Sequence, residues 1–240
     1  MKYFSILNSL DVKTMGCLPQ VKQVIHNCDV LNNENFIDKF PFRKIEKKPI
    51  LSNAILYAKS NQTDLIKTNS IGFSYGSMLI SDRFKNLLEK FNFFGIQFFS
   101  TSIFHKDEKI GNYWQTHIYD VPYNLIDFKN TDFVLKDRDV NRKPMQNSLK
   151  ILSKEEYLNI AESMKYPKML FLKNVSFTEK MNLDYFFLRN FEGASLGIVS
   201  YRLMEEIEKN TITGIELKPF EVDLQTWYKS KEREEKYGKS

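Results

Sequence analysis

The sequence predicts an α+β protein of two related halves, each a mostly antiparallel sheet that carries a Ser-capped amphipathic helix. Short alternating apolar runs that are typical of strands interchange with a few stretches of helical period. A strand–helix–strand pattern also occurs twice. Residues 79–99, LISDRFKNLLEKFNFFGIQFF, align without a gap at a shift of 119 with residues 198–217, IVSYRLMEEIEKNTITGIEL, which stop one position earlier. We call these stretches the first segment and the second segment.

Composition and charge favour an ordinary globular protein. The 240 residues are 42% apolar and 27% charged, and the net charge is +5. A positive charge raises the question of nucleic acid, but lysine and arginine are interleaved with acidic residues along the chain. The closest basic cluster, FRKIEKK at residues 42–48, itself contains Glu46. We therefore expect a solvated mixed-charge surface and no nucleic-acid partner, and a weakly basic nucleic-acid-associated protein is kept as one alternative function.

The cysteines and the N-terminus predict a cytoplasmic protein. Cys17 and Cys28 are too few for a disulfide scaffold or a zinc site. Asp11 and Lys13 interrupt the apolar start before a signal peptide could form. No stretch approaches the roughly 20 apolar residues of a membrane helix. We expect a soluble, reduced, intracellular chain with no membrane contact, metal or cofactor.

The elements before the first segment are strands and a long loop. KYFSIL at residues 2–7 alternates as a strand does, and residues 20–27 fit a second strand. Residues 31–50 lack a clean period and contain two prolines, which predicts a loop.

Each segment has the residues that a strand–helix–strand unit needs to fold. In the first, Phe84, Leu87 and Leu88 lie on one helical face behind Ser81, whose hydroxyl can cap the helix. Gly95 can supply the positive-φ turn into the next strand. The second segment repeats this pattern with the following residues: Ser200, Leu203, Met204, Ile207 and Gly214.

The remaining elements define the predicted domain organisation. Strands at residues 96–104 and 113–121 form a hairpin, and the polar stretch around Pro144 predicts a linker. A helix capped by Ser153, strands at 168–175 and 184–190, and a short charged C-terminal helix complete the chain. We expect an N-terminal half at 1–134, a connecting segment at 135–152 and a C-terminal half at 153–240, packed as one compact unit.

The histidines do not form a recognisable site. His105 and His117 lie across the predicted hairpin and would hold a metal only if the strands brought them together. Their spacing matches no defined ligand motif, so we expect structural roles for both.

Ser74 is the one candidate nucleophile. It fits the letters of G-x-S-x-G at residues 72–76. Such a motif is a nucleophile elbow only between a buried strand and a helix, and strand-like residues stand on both sides here. We expect a turn, and a hydrolase remains the alternative function.

Arg83 and Arg202 occupy matching positions in the first turns of the two predicted helices. An arginine at this position can bind an anion. More often its stem packs on the sheet and its guanidinium pairs with a neighbouring carboxylate, which is the role we expect.

The repeated pattern resembles the immunity proteins of bacterial polymorphic toxin systems, in particular a large family long filed as a domain of unknown function. The resemblance covers residues 64–121 and 184–220, whereas the basic charge and the first forty residues depart from it. The residues of the second segment that carry it are Ser200, Arg202, Leu203, Ile207, Glu208, Gly214, Ile215 and Glu216, and residues 81–98 match it as well.

The resemblance implies a stoichiometric inhibitor of a cognate toxin protein, and no enzyme. A binder relies on a few aromatic or arginine side chains at its interface. The candidates for partner contact are Tyr113, Trp114, Tyr119 and Trp227, with core packing as the other interpretation of each. Partner-specific function is expected where the segments differ, for instance at Asp82 against Tyr201 and at Phe99 against Lys218.

Overall fold

The computed structural model describes residues 1–66, 68, 70–139 and 142–238. The strands in these residues are β1 (Tyr3–Asn8), β2 (Val21–His26), β3 (Ser52–Leu56), β4 (Leu65–Ile66), β5 (Leu79–Ser81), β6 (Ile96–His105), β7 (Glu108–Ile118), β8 (Phe133–Arg138), β9 (Pro144–Leu149), β10 (Met169–Leu172), β11 (Tyr185–Phe191), β12 (Ala194–Ser200) and β13 (Ile215–Pro219). The α-helices are α1 (Val12–Met15), α2 (Asp82–Leu88), α3 (Lys154–Ser163), α4 (Tyr201–Lys209), α5 (Leu224–Lys229) and α6 (Lys231–Tyr237). Short 3-10 helices cover Ile37–Lys39, Tyr123–Leu125 and Phe128–Asn130.

The chain divides into two compact units. The first contains Met1–Val121, Leu183–Phe187 and Gly197–Ser240, and the second contains Pro122–Asn182 and Leu188–Leu196. Strands β11 and β12 therefore belong in part to each unit. This division by compactness differs from the halves expected at 1–134 and 153–240, which stay a prediction about how the sequence is organised.

The first unit contains two sets of hydrogen-bonded strands. One is a six-stranded sheet in the order β2-β3-β6-β7-β5-β4, and the other runs β13-β1-β12-β11. In the first set β7 lies between β5 and β6, antiparallel to both. In the second set β1 lies between β12 and β13 and is likewise antiparallel to both. Each segment therefore places its helix between two strands that are separated in the sheet by a third.

The apolar stripes of α2 and α4 meet in one hydrophobic cluster of the first unit. Phe84 and Leu88 are fully buried there with Leu203 and Ile207. Burial of a side chain of this size stabilises the fold by roughly 1.5–3 kcal/mol. The helical period of the two segments is thus explained by packing.

The second unit is smaller and packs aromatic rings beside its strands. Within it the strand order is β11-β10-β8-β9. Phe128, Phe133 and Tyr157 lie with ring centroids 5.7–5.9 Å apart. Ser153 caps α3, as expected, by accepting a hydrogen bond from the Glu156 amide.

The α+β class and both predicted helix caps are confirmed. The hydroxyls of Ser81 and Ser200 accept hydrogen bonds from the amides of Phe84 and Leu203 at 3.1 and 3.3 Å. The glycines that follow have φ of +73° at Gly95 and +82° at Gly214, as the predicted turns require.

The expected linker at 135–152 contains most of a β-hairpin instead. Strands β8 and β9 pair there over six residues each. The stretch is polar because β9 is exposed on both faces from Pro144 to Ser148, so a strand at a sheet edge has the composition of a loop. In the described part of the chain, no helix is long and apolar enough to cross a bilayer.

Candidate partner-binding surface

Asp64, Ser81 and Arg83 form a polar cluster at the start of α2. The Ser81 hydroxyl donates to Oδ1 of Asp64 at 2.6 Å, and the Arg83 guanidinium donates to both carboxylate oxygens at 3.1 and 2.5 Å. Asp64 lies just before β4 and is 6% exposed. The serine that caps the helix is therefore itself held by a buried carboxylate.

Asp184, Ser200 and Arg202 make the same contacts at the start of α4. Ser200 donates to Oδ1 of Asp184 at 2.6 Å, and Arg202 donates to both carboxylate oxygens. Asp184 lies just before β11 and is fully buried. The expected pairing of Arg83 and Arg202 with carboxylates is thus confirmed.

Each aspartate also binds the loop that ends the other segment's helix. Asp64 Oδ2 accepts from the amide and the hydroxyl of Thr213, both at 2.8 Å. Asp184 Oδ2 accepts from the amide of Asn92 at 3.1 Å, and the Asp184 amide donates back to Asn92 at 2.7 Å. The two aspartates therefore tie the segments to each other.

The two clusters hold ionised carboxylates in the interior. Burial opposes ionisation of Asp64, but hydrogen bonds from Arg83, Ser81 and Thr213 outweigh it, so its pKa is lowered. The pKa of Asp184 is lowered in the same way, against burial, by Arg202, Ser200 and the Asn92 amide. Both oxygens of each carboxylate accept hydrogen bonds from the protein itself, so the role of the two clusters is structural.

A tyrosine accompanies each cluster. The hydroxyl of Tyr113 on β7 donates to the Thr63 carbonyl at 2.9 Å, and that of Tyr3 on β1 donates to the Leu183 carbonyl at 3.3 Å. Burial, with the nearby Asp184 charge, raises the pKa of Tyr3 to about 12. Burial and the charge of Asp64 also raise the pKa of Tyr113. Both phenols therefore stay protonated.

The four aromatic residues predicted to contact a partner differ in burial. Tyr113 and Trp227 are 3% and 1% exposed, so their rings lie inside the isolated chain. Trp114 is half-buried: its indole nitrogen donates to Asp82 at 2.9 Å, and the Lys85 amine lies 4.4 Å from the ring centroid. Tyr119 is also half-buried. Partner contact stays a proposal for this set, and only Trp114 and Tyr119 offer surface for it.

Ser74 lies in a turn between β4 and β5, as we expected from the sequence. It does not lie between a strand and a helix, where a nucleophile elbow would place it. Its hydroxyl donates to Oδ2 of Asp38 at 2.8 Å. An activated serine needs a base such as histidine, and no histidine bonds to Ser74 within the described residues. The G-x-S-x-G letters are explained by the turn, because Gly72 and Gly76 both have positive φ.

The two hairpin histidines lie at opposite ends of the β6–β7 hairpin. His105 pairs with Glu108 at the turn, and His117 pairs with Gln97 at the other end. His117 is buried, which lowers its pKa, although its Nε2 hydrogen bond to the Arg43 carbonyl opposes this shift. Among the residues that the structure describes, no group of three or more His, Cys, Asp and Glu side chains is arranged to hold a metal ion.

Two irregular stretches of the first unit form an exposed surface whose backbone is held by side-chain hydrogen bonds. We call residues 42–48 and 71–75 together the loop surface. Asp38 fixes one part: its carboxylate accepts from the Gly72 amide at 2.7 Å and from the Ser74 hydroxyl. The Gly72 carbonyl in turn accepts from the buried amide of Gln115.

Side chains of the hairpin fix the other part of the loop surface. The amide group of Gln97 exchanges two hydrogen bonds with the backbone of Ile45, each at 2.9 Å. His117 donates to the Arg43 carbonyl at 2.7 Å, and Ile45 itself is 5% exposed. Sheet side chains thus replace the ladder bonds that these loops lack.

Apolar and cationic side chains point outwards from this backbone. Ile71 and Tyr75 are 57% and 47% exposed, and the Tyr75 ring packs on Phe42 with centroids 5.8 Å apart. The four cations of residues 42–48 are all exposed: Arg43, Lys44, Lys47 and Lys48.

A family model of the immunity protein family (Imm11) matches residues 30–222. The match spans both segments, both aspartate clusters and the whole loop surface. The chain belongs to the Imm11 immunity protein family. A search of curated proteins finds no match.

The Imm11 match begins after β1, yet β1 lies between two strands of the second segment. Residues 30–40, which the sequence resemblance left out, fall inside the match. They include Asp38, whose carboxylate fixes the loop surface.

Proposed function

We propose that this Imm11 protein binds a toxin protein and neutralises it by stoichiometric contact in the cytoplasm. The observation that carries the proposal is the family match, which covers residues 30–222 of 240. The loop surface supports it, since exposed tyrosine and arginine side chains on a fixed backbone are typical of interface hot spots. Binding of this kind requires no reactive group, cofactor or nucleic acid.

We also propose that the chain carries one folding unit twice. The support is the correspondence of the aspartate clusters: the same three side chains make the same bonds at the starts of α2 and α4. The central strands β7 and β1 correspond as well, since each carries a tyrosine bonded just ahead of the aspartate. The duplicated unit supplies the frame, and partner recognition belongs to what covers it.

The partner contacts suggested for Trp114 and Tyr119 remain part of this proposal, because both rings have exposed area. Trp114 is fixed by Asp82 and Lys85, so little side-chain entropy would be lost on binding.

The test is rescue by co-expression. The toxic C-terminal domain of a protein encoded by the adjacent reading frame is expressed with and without this chain, and a mixture of the two is run on a sizing column. Growth rescue together with a co-eluting complex is expected. Toxicity that persists, with no complex formed, would refute the proposal.

A variant separates inhibition by binding from hydrolysis. Ser74→Ala removes the hydroxyl of the alternative nucleophile together with its hydrogen bond to Asp38, so it should at most weaken the complex and should not abolish rescue. Loss of rescue in a Ser74→Ala protein that still forms the complex, together with turnover of an ester panel by the unmodified chain, would favour the hydrolase instead.

A further inference from the structure

We propose that the loop surface binds an acidic patch on the toxin protein, with Tyr75 and Ile71 at the centre of the contact. This inference rests on the proposed function and names the surface and the chemistry of the partner. It is carried by three features of residues 42–48 and 71–75: a fixed backbone, an exposed apolar centre and an excess of positive charge.

The fixed backbone argues for recognition, because part-buried side-chain hydrogen bonds hold these loops, and a loop that only connects strands does not need such bonds. Asp38, Gln97 and His117 all direct their polar atoms at the backbone of these two stretches. A connection that only joined strands would be held by its own turns. Order before binding reduces the entropy lost on association.

The apolar centre argues for a protein partner. Ile71 and Tyr75 are exposed in two successive turns, and the Tyr75 ring makes an edge-to-face contact with Phe42. Tyrosine that is packed at its base and exposed at its tip is enriched at interface hot spots. An aliphatic side chain such as Ile71 is suited to an apolar pocket and cannot stack on a base.

The positive charge of the loop surface indicates that the contacting surface of the partner is negatively charged. Four cations and one acid, Glu46, lie within residues 42–48, which gives this stretch a net charge of +3. No salt bridge joins Lys44, Lys47 or Lys48 to an acidic side chain within the residues described. Cations that are unpaired in the free chain attract an acidic surface and raise its association rate.

The same charge argues against two other occupants. A second copy of this chain would bring +3 against +3, and like charges across an interface are unfavourable. A nucleic acid is bound by cations spaced along its backbone, whereas these four are confined to residues 43–48. Both occupants remain outcomes of the test.

The experiment compares two charge reversals in the complex that the wild-type chain forms with the toxin domain. Lys44→Glu, Lys47→Glu and Lys48→Glu are combined in one variant. The matched control combines Lys22→Glu, Lys59→Glu and Lys109→Glu, which change the net charge equally. These control lysines are exposed and lie towards the end of the six-stranded sheet where β6 turns into β7, away from Gln97.

The Kd of the loop-surface variant should be about 10- to 100-fold weaker at 0.1 M salt, mostly through a slower association rate. The control should change the Kd by less than about threefold. Raising the salt to 1 M should close most of the gap, because the Debye length falls from about 10 to 3 Å.

A second pair of variants tests the apolar centre. Tyr75→Ala should weaken the Kd by about tenfold or more, with little dependence on salt. Tyr57→Ala, which removes a tyrosine of similar exposure (41%), should leave it unchanged. Thermal unfolding of each variant shows that a loss of binding is not a loss of the fold.

The outcomes distinguish this inference from the function on which it rests. If the wild-type chain forms no complex with the toxin domain, the proposed function fails. If the wild type binds while the loop-surface variant and Tyr75→Ala bind equally well, this inference alone is wrong. Binding of a 20-nucleotide single strand or of a second copy, lost in the loop-surface variant, would replace the toxin as the occupant.

Discussion

Replacing Asp184 by asparagine tests whether the buried aspartates hold the two segments together. In the folded chain the carboxylate accepts from four donors: the Ser200 hydroxyl, two guanidinium nitrogens of Arg202 and the Asn92 amide. An asparagine keeps one oxygen and replaces the other by an amide group that can only donate. The Asn92 amide and one nitrogen of Arg202 then face a donor.

The expected loss follows from these contacts. Arg202 is 61% exposed and can return to water, so its share is discounted for solvent screening. The Asn92 amide would face the new amide group at the fully buried position 184, and a donor left without its acceptor in this part-buried contact costs about 1–3 kcal/mol. With the weakened charge-assisted bonds, we expect Asp184→Asn to lower the free energy of unfolding by about 2–4 kcal/mol.

Urea unfolding followed by tryptophan fluorescence measures this loss. Both tryptophans, Trp114 and Trp227, belong to the first unit, so the signal reports the unit that contains the cluster. If the free energy of unfolding falls by about 3 kcal/mol per M of urea, the urea concentration at half unfolding should fall by roughly 1 M in the variant. Glu206→Gln is the matched control: it makes the same change of acid to amide in an exposed pair with Lys209, and it should leave the urea midpoint nearly unchanged.

The pH dependence gives a second check with a definite sign. The folded pKa of Asp184 is below its ordinary value of 3.8, so its contribution is complete above that pH and is lost as the pH falls through the folded pKa. The gap between wild type and Asp184→Asn should therefore be constant from pH 8 to 5 and narrow below pH 4. A gap under about 0.5 kcal/mol at pH 7, or one independent of pH, would refute the reasoning.

Three further predictions concern a tight turn, a buried histidine and a buried ion pair. Gly214→Ala should cost at least about 2 kcal/mol, because a Cβ would lie 2.3 Å from the Leu65 carbonyl oxygen at a φ of +82°; urea unfolding measures it. His117→Gln should remove part of the stability loss between pH 7 and 5, because the lowered pKa of His117 gives stability that is present above pH 6.5 and lost as the pH falls; urea midpoints across this range show it. Glu216→Gln should cost about 3–5 kcal/mol, because it breaks a pair with Arg233 in which both side chains are buried; thermal unfolding reports it.

Each of these has a control in the same chain. Gly111→Ala, at a glycine with open space around its Cβ position, should be nearly neutral. His26→Gln makes the same substitution at an exposed histidine, and its pH profile is the reference for that of His117→Gln. Combining Glu216→Leu with Arg233→Met should recover part of the loss seen in Glu216→Gln, since neither charge is then left buried alone.

The local parts of the fold could be predicted because they depend on neighbouring residues. The Ser81 cap bonds an amide three positions on, and the turn at Gly95 depends on one residue's freedom at positive φ. The sequence predicted that Arg83 pairs with a carboxylate but did not identify which one. The partner, Asp64, lies 19 positions before Arg83, and Thr213, which also bonds Asp64, lies 149 positions after it.

The sequence does contain a pattern that could have identified the two aspartates, but it lies outside the two aligned segments. Asp64 and Asp184 each stand directly before a buried strand, at a shift of 120 that differs by one from that of the segments. An ungapped alignment at 119 therefore misses them. The place of β1 could not be predicted at all, because it pairs with strands from the opposite end of the chain.

The loop surface was not predicted because an exposed irregular stretch has no period. Residues 42–48 stand out in the sequence by their charge, and Ser74 stands out by its motif. Neither feature indicates that the two stretches lie together. The ring contact between Phe42 and Tyr75 joins the two stretches, and Asp38 fixes the second one through the Gly72 amide and the Ser74 hydroxyl, across more than thirty positions. Side-chain bonds to loop backbone of this kind depend on tertiary structure.

The difference between the segments lies in what covers matching positions of their sheets. Gln97 in the first segment aligns with Glu216 in the second. Gln97 bonds the backbone of Ile45 and so holds the loop surface, whereas Glu216 binds Arg233 and so holds α6. A neutral amide can both donate to and accept from a backbone, and a carboxylate requires a cation when buried. The residue at this position thus matches what covers the strand, a loop at Gln97 and a helix at Glu216. If the proposed duplication holds, the loop surface beside the first segment is where we expect partner specificity to change without disturbing the shared frame.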